Sequence, residues 1–126
     1  MKKQRRIILS CEHADNRVPA GYRHLFTDNP EVLNTHCGYD IGIAPIARYL
    51  QKQLDCPLCM YEWTRLLIDV NRTRKASQFS KFSKGLSDAD KQHLIDNYDI
   101  PYKKRIKQLV GEQSKFGPVL HWSLHS

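Results

Sequence analysis

A chain of 126 residues, 40% hydrophobic and 26% charged, fits one small globular domain and is too short for two. Its formal charge of +7 favours anionic partners, and the excess sits in the second half, where residues 64–126 carry 12 basic and 6 acidic side chains. The longest aliphatic clusters, Ile7-Ile8-Leu9 and Leu66-Leu67-Ile68, fall far short of the roughly 20 apolar residues of a membrane span, and the basic start lacks the apolar stretch of a secretion signal, so a cytoplasmic location is expected.

Arg6 to Cys11 is a short apolar run ending in polar residues, the pattern of a buried parallel strand feeding a functional loop. Ala14 to Asn34, rich in Asn, Asp, Pro and Gly, reads as irregular structure with a helical turn near Tyr22 to Phe26. Ile43, Ile46, Ala47, Leu50 and Leu54 then recur at helical spacing. Pro45 must lie in the first turn of that helix, which puts the start close to Asp40.

Leu58 to Val70 reads as one strand, or two pieces bent near Thr64, and Arg74 to Gly85 as a loop. Ser87-Asp88-Ala89-Asp90 has the composition of a helix start, and Pro101 can open a further helix carrying Ile106, Leu109 and Val110. Gly117-Pro118 ends it, and Val119 to His125 reads as a last strand. This order predicts a single α/β domain with an at least partly parallel sheet flanked by helices. The four cysteines, Cys56-Pro57-Leu58-Cys59 included, read as reduced and mostly buried thiols, since a structural zinc would want a second closely spaced pair.

Ligands of open α/β sheets gather at the carboxyl ends of the strands. His13 just past the first strand, Asp40 entering the helix and His125 ending the last strand fall at such places. Two imidazoles and a carboxylate are the protein ligands of a catalytic zinc, although Asp40 also suits a helix N-cap and a lone histidine is often structural. His121 and His125 would share one face of a strand about 13 Å apart, too far to hold one ion, so His125 at the carboxyl end is the candidate ligand and His121 its neighbour. Asp69-Val70-Asn71-Arg72 closes the other strand, with Asp69 and Asn71 on one side by alternation. Arg72 there can swing to a substrate carboxylate or pair locally with Asp69.

The segments Leu9 to His13, Asn16 to Pro19, His36 to Gly42, Arg65 to Arg72 and Leu120 to Ser126 resemble, in order, the successive signatures of N-formylglutamate amidohydrolase-like proteins. The resemblance implies a phosphorylase/hydrolase-like fold shared with zinc carboxypeptidases, aspartoacylases and cell-wall amidases. It implies zinc on His13, Asp40 and His125, with Asp40 where the cell-wall amidases place a glutamate. Asn16 stands where aspartoacylases place a glutamate ligand, but a neutral amide binds zinc poorly, so Asn16 and His121 are expected to support the ligands from behind. Arg65, Asn71 and Arg72 are the implied grip on the carboxylate of a small anionic acyl amino acid. The implied reaction is amide hydrolysis, zinc lowering the pKa of its bound water to about 7. Members of the family are about twice this long, and related enzymes carry the proton-shuttling glutamate downstream of the third ligand. The chain therefore reads as a truncated domain, incomplete at its C-terminus and inactive or weakly active. Glu12, which should point away from His13, and Glu62 are not convincing substitutes.

Two other readings remain. The stretch Arg72-Thr73-Arg74-Lys75, near Phe79, Lys81, Phe82 and Lys84, interleaves charge with aromatics as a nucleic-acid-binding module does, though no recognised motif accompanies it. A non-catalytic remnant would expose a sheet edge and associate with itself.

Overall fold

The computed structural model describes residues 6–73 and 77–126. Three strands, β1 (Arg6–Cys11), β2 (Leu58–Met60) and β3 (Val119–Ser123), form an all-parallel sheet in the order β2-β1-β3. The first strand is thus central, and its apolar run is buried from Ile8 onward because helices cover both faces. Cys11 packs with Ile43 and Ala47 of helix α1 (Ile43–Leu54), whereas the next residue, Glu12, meets Tyr102 of helix α3 (Ile100–Ser114). Successive strand residues point to opposite faces, which puts the two helices on opposite sides of the sheet.

Helix α1 starts three residues later than expected. Gly42, at φ +86°, is the residue before its first turn, and Pro45 lies within that turn, where a missing N–H costs nothing. Asp40 is therefore not the cap. Of the apolar stripe, only Ile43 and Ala47 are buried; Ile46 is 51% exposed and Leu54 39%.

The reading of Leu58 to Val70 as strand is corrected. β2 ends at Met60, and only an isolated bridge between Trp63 and Arg17 follows. Thr64 then starts a turn, its hydroxyl accepting from the Leu66 N–H and its carbonyl from Leu67. Leu67 and Ile68 leave the sheet and pack with Leu94 in a second core, against Tyr22, Phe79 and Tyr98. Their apolar character reflects that burial, which a run of aliphatics cannot distinguish from a buried strand.

Ser87 caps helix α2 (Asp88–Leu94) by accepting from the Asp90 N–H at 3.1 Å. Instead of a break before Pro101, a π-helical turn (Ile95–Asp99) joins α2 to α3, with the Ile100 N–H bonded to the Ile95 carbonyl. A proline in a helix lacks one ladder donor and presses on the carbonyl four residues back; the π-helical turn lies just ahead of Pro101, which falls in the first turn of α3. A 3-10 turn covers Ala20–Phe26 as expected, and a second one, Pro30–Asn34, lies in the stretch read as irregular. Arg74 and Lys75 of the basic stretch lie outside the described residues. Its aromatics pack inward, Phe79 on the second core and Phe82 on Phe26 with ring centres 5.2 Å apart.

Candidate metal centre

β1 ends at Cys11, and the chain turns so that the buried His13 lies just beyond the sheet edge. Its backbone carbonyl accepts from the Asp40 N–H at 2.9 Å, which ties the segment before α1 to the end of β1. Gly38 lies against the Leu33 backbone, where any Cβ would collide, and its carbonyl accepts from the Thr64 hydroxyl at 2.9 Å. Asp40 is buried and, relieved of capping, turns its carboxylate toward the imidazoles.

Nε2 of His13 lies 2.8 Å from Oδ1 of Asp69. A carboxylate can only accept, so in the neutral ring this nitrogen carries the proton and Nδ1 keeps its lone pair. Nδ1 is buried without a hydrogen-bond partner, 3.5 Å from Oδ2 of Asp40. A buried lone pair facing a carboxylate is unfavourable unless a proton or a metal ion lies between them.

His125, two residues beyond the end of β3 and not on it, brings its own Nδ1 to 2.9 Å from the same Asp40 oxygen. The rings of His13 and His125 meet edge to face, with centres 5.0 Å apart. One donor atom from each of His13, Asp40 and His125 lies within 4.8 Å of the others, so the group could hold a metal ion. The donor set of two imidazoles and a carboxylate suits zinc.

Both histidines repeat one arrangement: Nδ1 toward Asp40, Nε2 toward another carboxylate. For His125 that partner is Glu12, 3.6 Å from Nε2, with the Ser123 hydroxyl at 3.0 Å. Glu12 turns toward α3, where Tyr102 donates to it at 2.5 Å and Ser123 bonds its other oxygen. Strand alternation accounts for that direction but not for the approach to His125, which folds back past the end of β3. Burial, with the charges of Glu12 and Asp40, pushes the Cys11 thiol up to about 12, so it stays protonated.

The sequence expectation places Asp69 on a strand, with Arg72 as its partner. It lies instead in a turn, its carboxylate accepting from the Asn71 N–H at 3.0 Å and its carbonyl from the Arg72 N–H at 3.1 Å. Burial alone would raise its carboxyl. The hydrogen bond and charge of His13, the Asn71 N–H and Arg65 outweigh it and hold the carboxyl below the ordinary range.

The sequence profile of the N-formylglutamate amidohydrolase family matches residues 5–126. The chain belongs to the N-formylglutamate amidohydrolase family. Among solved structures, that of gene product Atu2144 from Agrobacterium tumefaciens aligns with a TM-score of 0.80 at 23% identity, over 91% of this chain and 50% of that one. The chain thus spans half the length of that protein, and the likeness supports the α/β fold alone. No curated protein matches the chain at a significant level. Among the described residues, no helix is long and apolar enough to cross a membrane.

Beside the metal group a cleft of about 440 Å³ is lined by His36, Cys37, Arg65, Asp69, Arg72 and Gln78, among others. Arg65 stands 3.4 Å from Oδ2 of Asp69 and 4.0 Å from Oδ1 of Asp40; Nε of Arg72 is 3.4 Å from the same Asp69 oxygen. Both guanidiniums therefore border the carboxylates and face the cleft. The other family positions are elsewhere. Asn71 lines a smaller cavity of about 220 Å³ with Glu12, Tyr102 and His121. Asn16 donates to the Leu33 carbonyl at 2.8 Å and to Asn34 at 3.1 Å, and His121 pairs with the Ser10 hydroxyl at 2.7 Å.

Proposed function

We propose that this chain carries the zinc site and the carboxylate-binding cleft of an amide hydrolase acting on an N-formyl or N-acyl amino acid such as N-formylglutamate. The observation that carries the reading is the buried, unpartnered Nδ1 of His13, aimed at an Asp40 oxygen that His125 also reaches. His13, Asp40 and His125 would hold the ion, which when bound supplies Lewis acidity and an activated water. Asp69 keeps the proton on Nε2 of His13, so that Nδ1 is the free donor, and Glu12 with Ser123 orients Nε2 of His125. Arg65 and Arg72, already beside carboxylates, would receive the carboxylate of the substrate in the cleft. The net charge of +7 draws such an anion in.

Zinc content of the purified protein tests this first. One ion per chain, lost in His13→Ala and in His125→Ala, is expected; a wild-type chain that retains no zinc against a weak chelator contradicts it. Release of formate from N-formylglutamate is the second measurement, because the chain spans half the length of its solved relative and hydrolysis is a separate claim from metal binding.

A further inference from the structure

The turn that carries Asp69 and Arg72 has no place in the sheet, yet its position sets both the outer nitrogen of His13 and one wall of the cleft. What holds it comes from Gln78, Asp99 and Lys103. The Gln78 side chain is buried, and its Nε2 donates to the Arg72 carbonyl at 2.9 Å and to Oδ1 of Asp99 at 2.9 Å, with the Asp69 carbonyl at 3.4 Å. The Gln78 backbone carbonyl accepts from the Asp69 N–H at 2.8 Å. Lys103 reaches the same two anchors, Oδ1 of Asp99 at 2.8 Å and the Arg72 carbonyl at 2.8 Å.

Asp99 is 1% exposed and closes the π-helical turn Ile95–Asp99. Such turns insert one residue into a helix and often occur at functional sites. An acid buried at this depth inside a core is unfavourable unless its partners satisfy it. Here both named partners also donate to the Arg72 carbonyl.

We infer that Asp99, presented by the π-helical turn, is a positioning residue that clamps the Asp69–Arg72 turn through Gln78 and Lys103 and thereby sets Asp69 against His13. The inference rests on the metal-site reading for its consequence, but the clamp has a readout of its own. Asp99→Asn keeps the shape while removing the charge that gathers both partners. Lys103→Met removes one leg from a position still 41% exposed, so it folds even if Asp99→Asn does not.

Hydrogen exchange followed by NMR reads the clamp, and chelator competition reads zinc affinity, both at temperatures where each variant is fully folded. Exchange at the Asp69 and Asn71 amides should quicken about tenfold in the variants, while the amides of Leu9 and Ser10 in β1 stay unchanged. Zinc affinity should fall about tenfold, the low end of what support behind a metal-binding histidine is worth. A purely structural role would lower the melting temperature and leave affinity per folded molecule unchanged. Unchanged exchange at Asp69 and Asn71 in both variants, or lost protection with unchanged zinc affinity, overturns the inference. If the wild-type chain binds no zinc, the metal reading fails, and selective loss of protection still upholds the clamp.

Discussion

The two histidines of the candidate centre face the same Asp40 oxygen from opposite kinds of surroundings. His13 is buried between two carboxylates, one of them in a turn held by Gln78 and Asp99. His125 has a side chain 34% exposed and hangs beyond β3, an edge strand whose Leu120 and Trp122 are 37% and 40% exposed. One side of the site is part of the core, and the other is attached to its margin. Metal affinity and stability should therefore separate: both histidines matter to the ion, and only one to the fold.

The sharpest test substitutes each in turn. His13→Ala leaves Asp69 as a buried carboxylate without its main partner, a loss on the order of 3 kcal/mol. His125→Ala removes a partly solvated pair, worth about 1 kcal/mol or less. Zinc should be lost from both, so urea unfolding of the metal-free proteins decides the matter. Equal shifts in the two midpoints would remove the distinction between the buried and the marginal side.

Asp69→Asn comes next in size. Its amide leaves the geometry nearly unchanged but loses the charge that fixes the His13 proton, and zinc affinity should drop about tenfold to a hundredfold. It also has a signature in pH. The native carboxyl lies below its ordinary value of 3.8, so in the metal-free protein its stabilising effect is present above that value and is lost as pH falls through the native pKa. The stability gap between wild type and Asp69→Asn should be widest near neutrality and close below pH 3.8. A gap that is constant down to strong acid would show that the charge on Asp69 does not stabilise the fold.

Much of the fold was legible because its signals are local. The apolar run Arg6–Cys11, the helical spacing of Ile43, Ala47 and Leu50, the Ser87 cap and the Gly117-Pro118 break each act within a few residues. The juxtaposition of His13, Asp40 and His125 followed from the rule that ligands gather at strand ends. What stayed hidden depends on contacts between distant residues. The apolar run Leu66-Leu67-Ile68 has the pattern of a strand, and nothing local to it signals the turn at Asp69 or its bond to His13, 56 residues away in sequence. Alternation turned Glu12 away from His13 correctly but could not show His125 folding back toward it. Gln78 and Asp99 lie 21 residues apart in sequence and carry no motif that would pair them. Asn16 and His121, expected behind the ligands, bond instead to Leu33, Asn34 and Ser10.

The smallest effect belongs to the margin itself. Leu120→Lys and Trp122→Ser change side chains that are already more than a third exposed, so neither removes a filled place in the core. Each should shift stability by no more than about 0.5 kcal/mol. Among the described residues β3 pairs with β1 alone, which leaves a row of backbone donors and acceptors on its other side; such an edge is a template for pairing with other chains unless charge or proline blunts it. Sedimentation velocity across a concentration series should therefore show less self-association for Leu120→Lys than for wild type, with zinc affinity preserved because His125 lies past the strand end. If the same substitution also released zinc, β3 would be positioning His125 as firmly as the core positions His13, and the contrast between the two sides of the site would disappear.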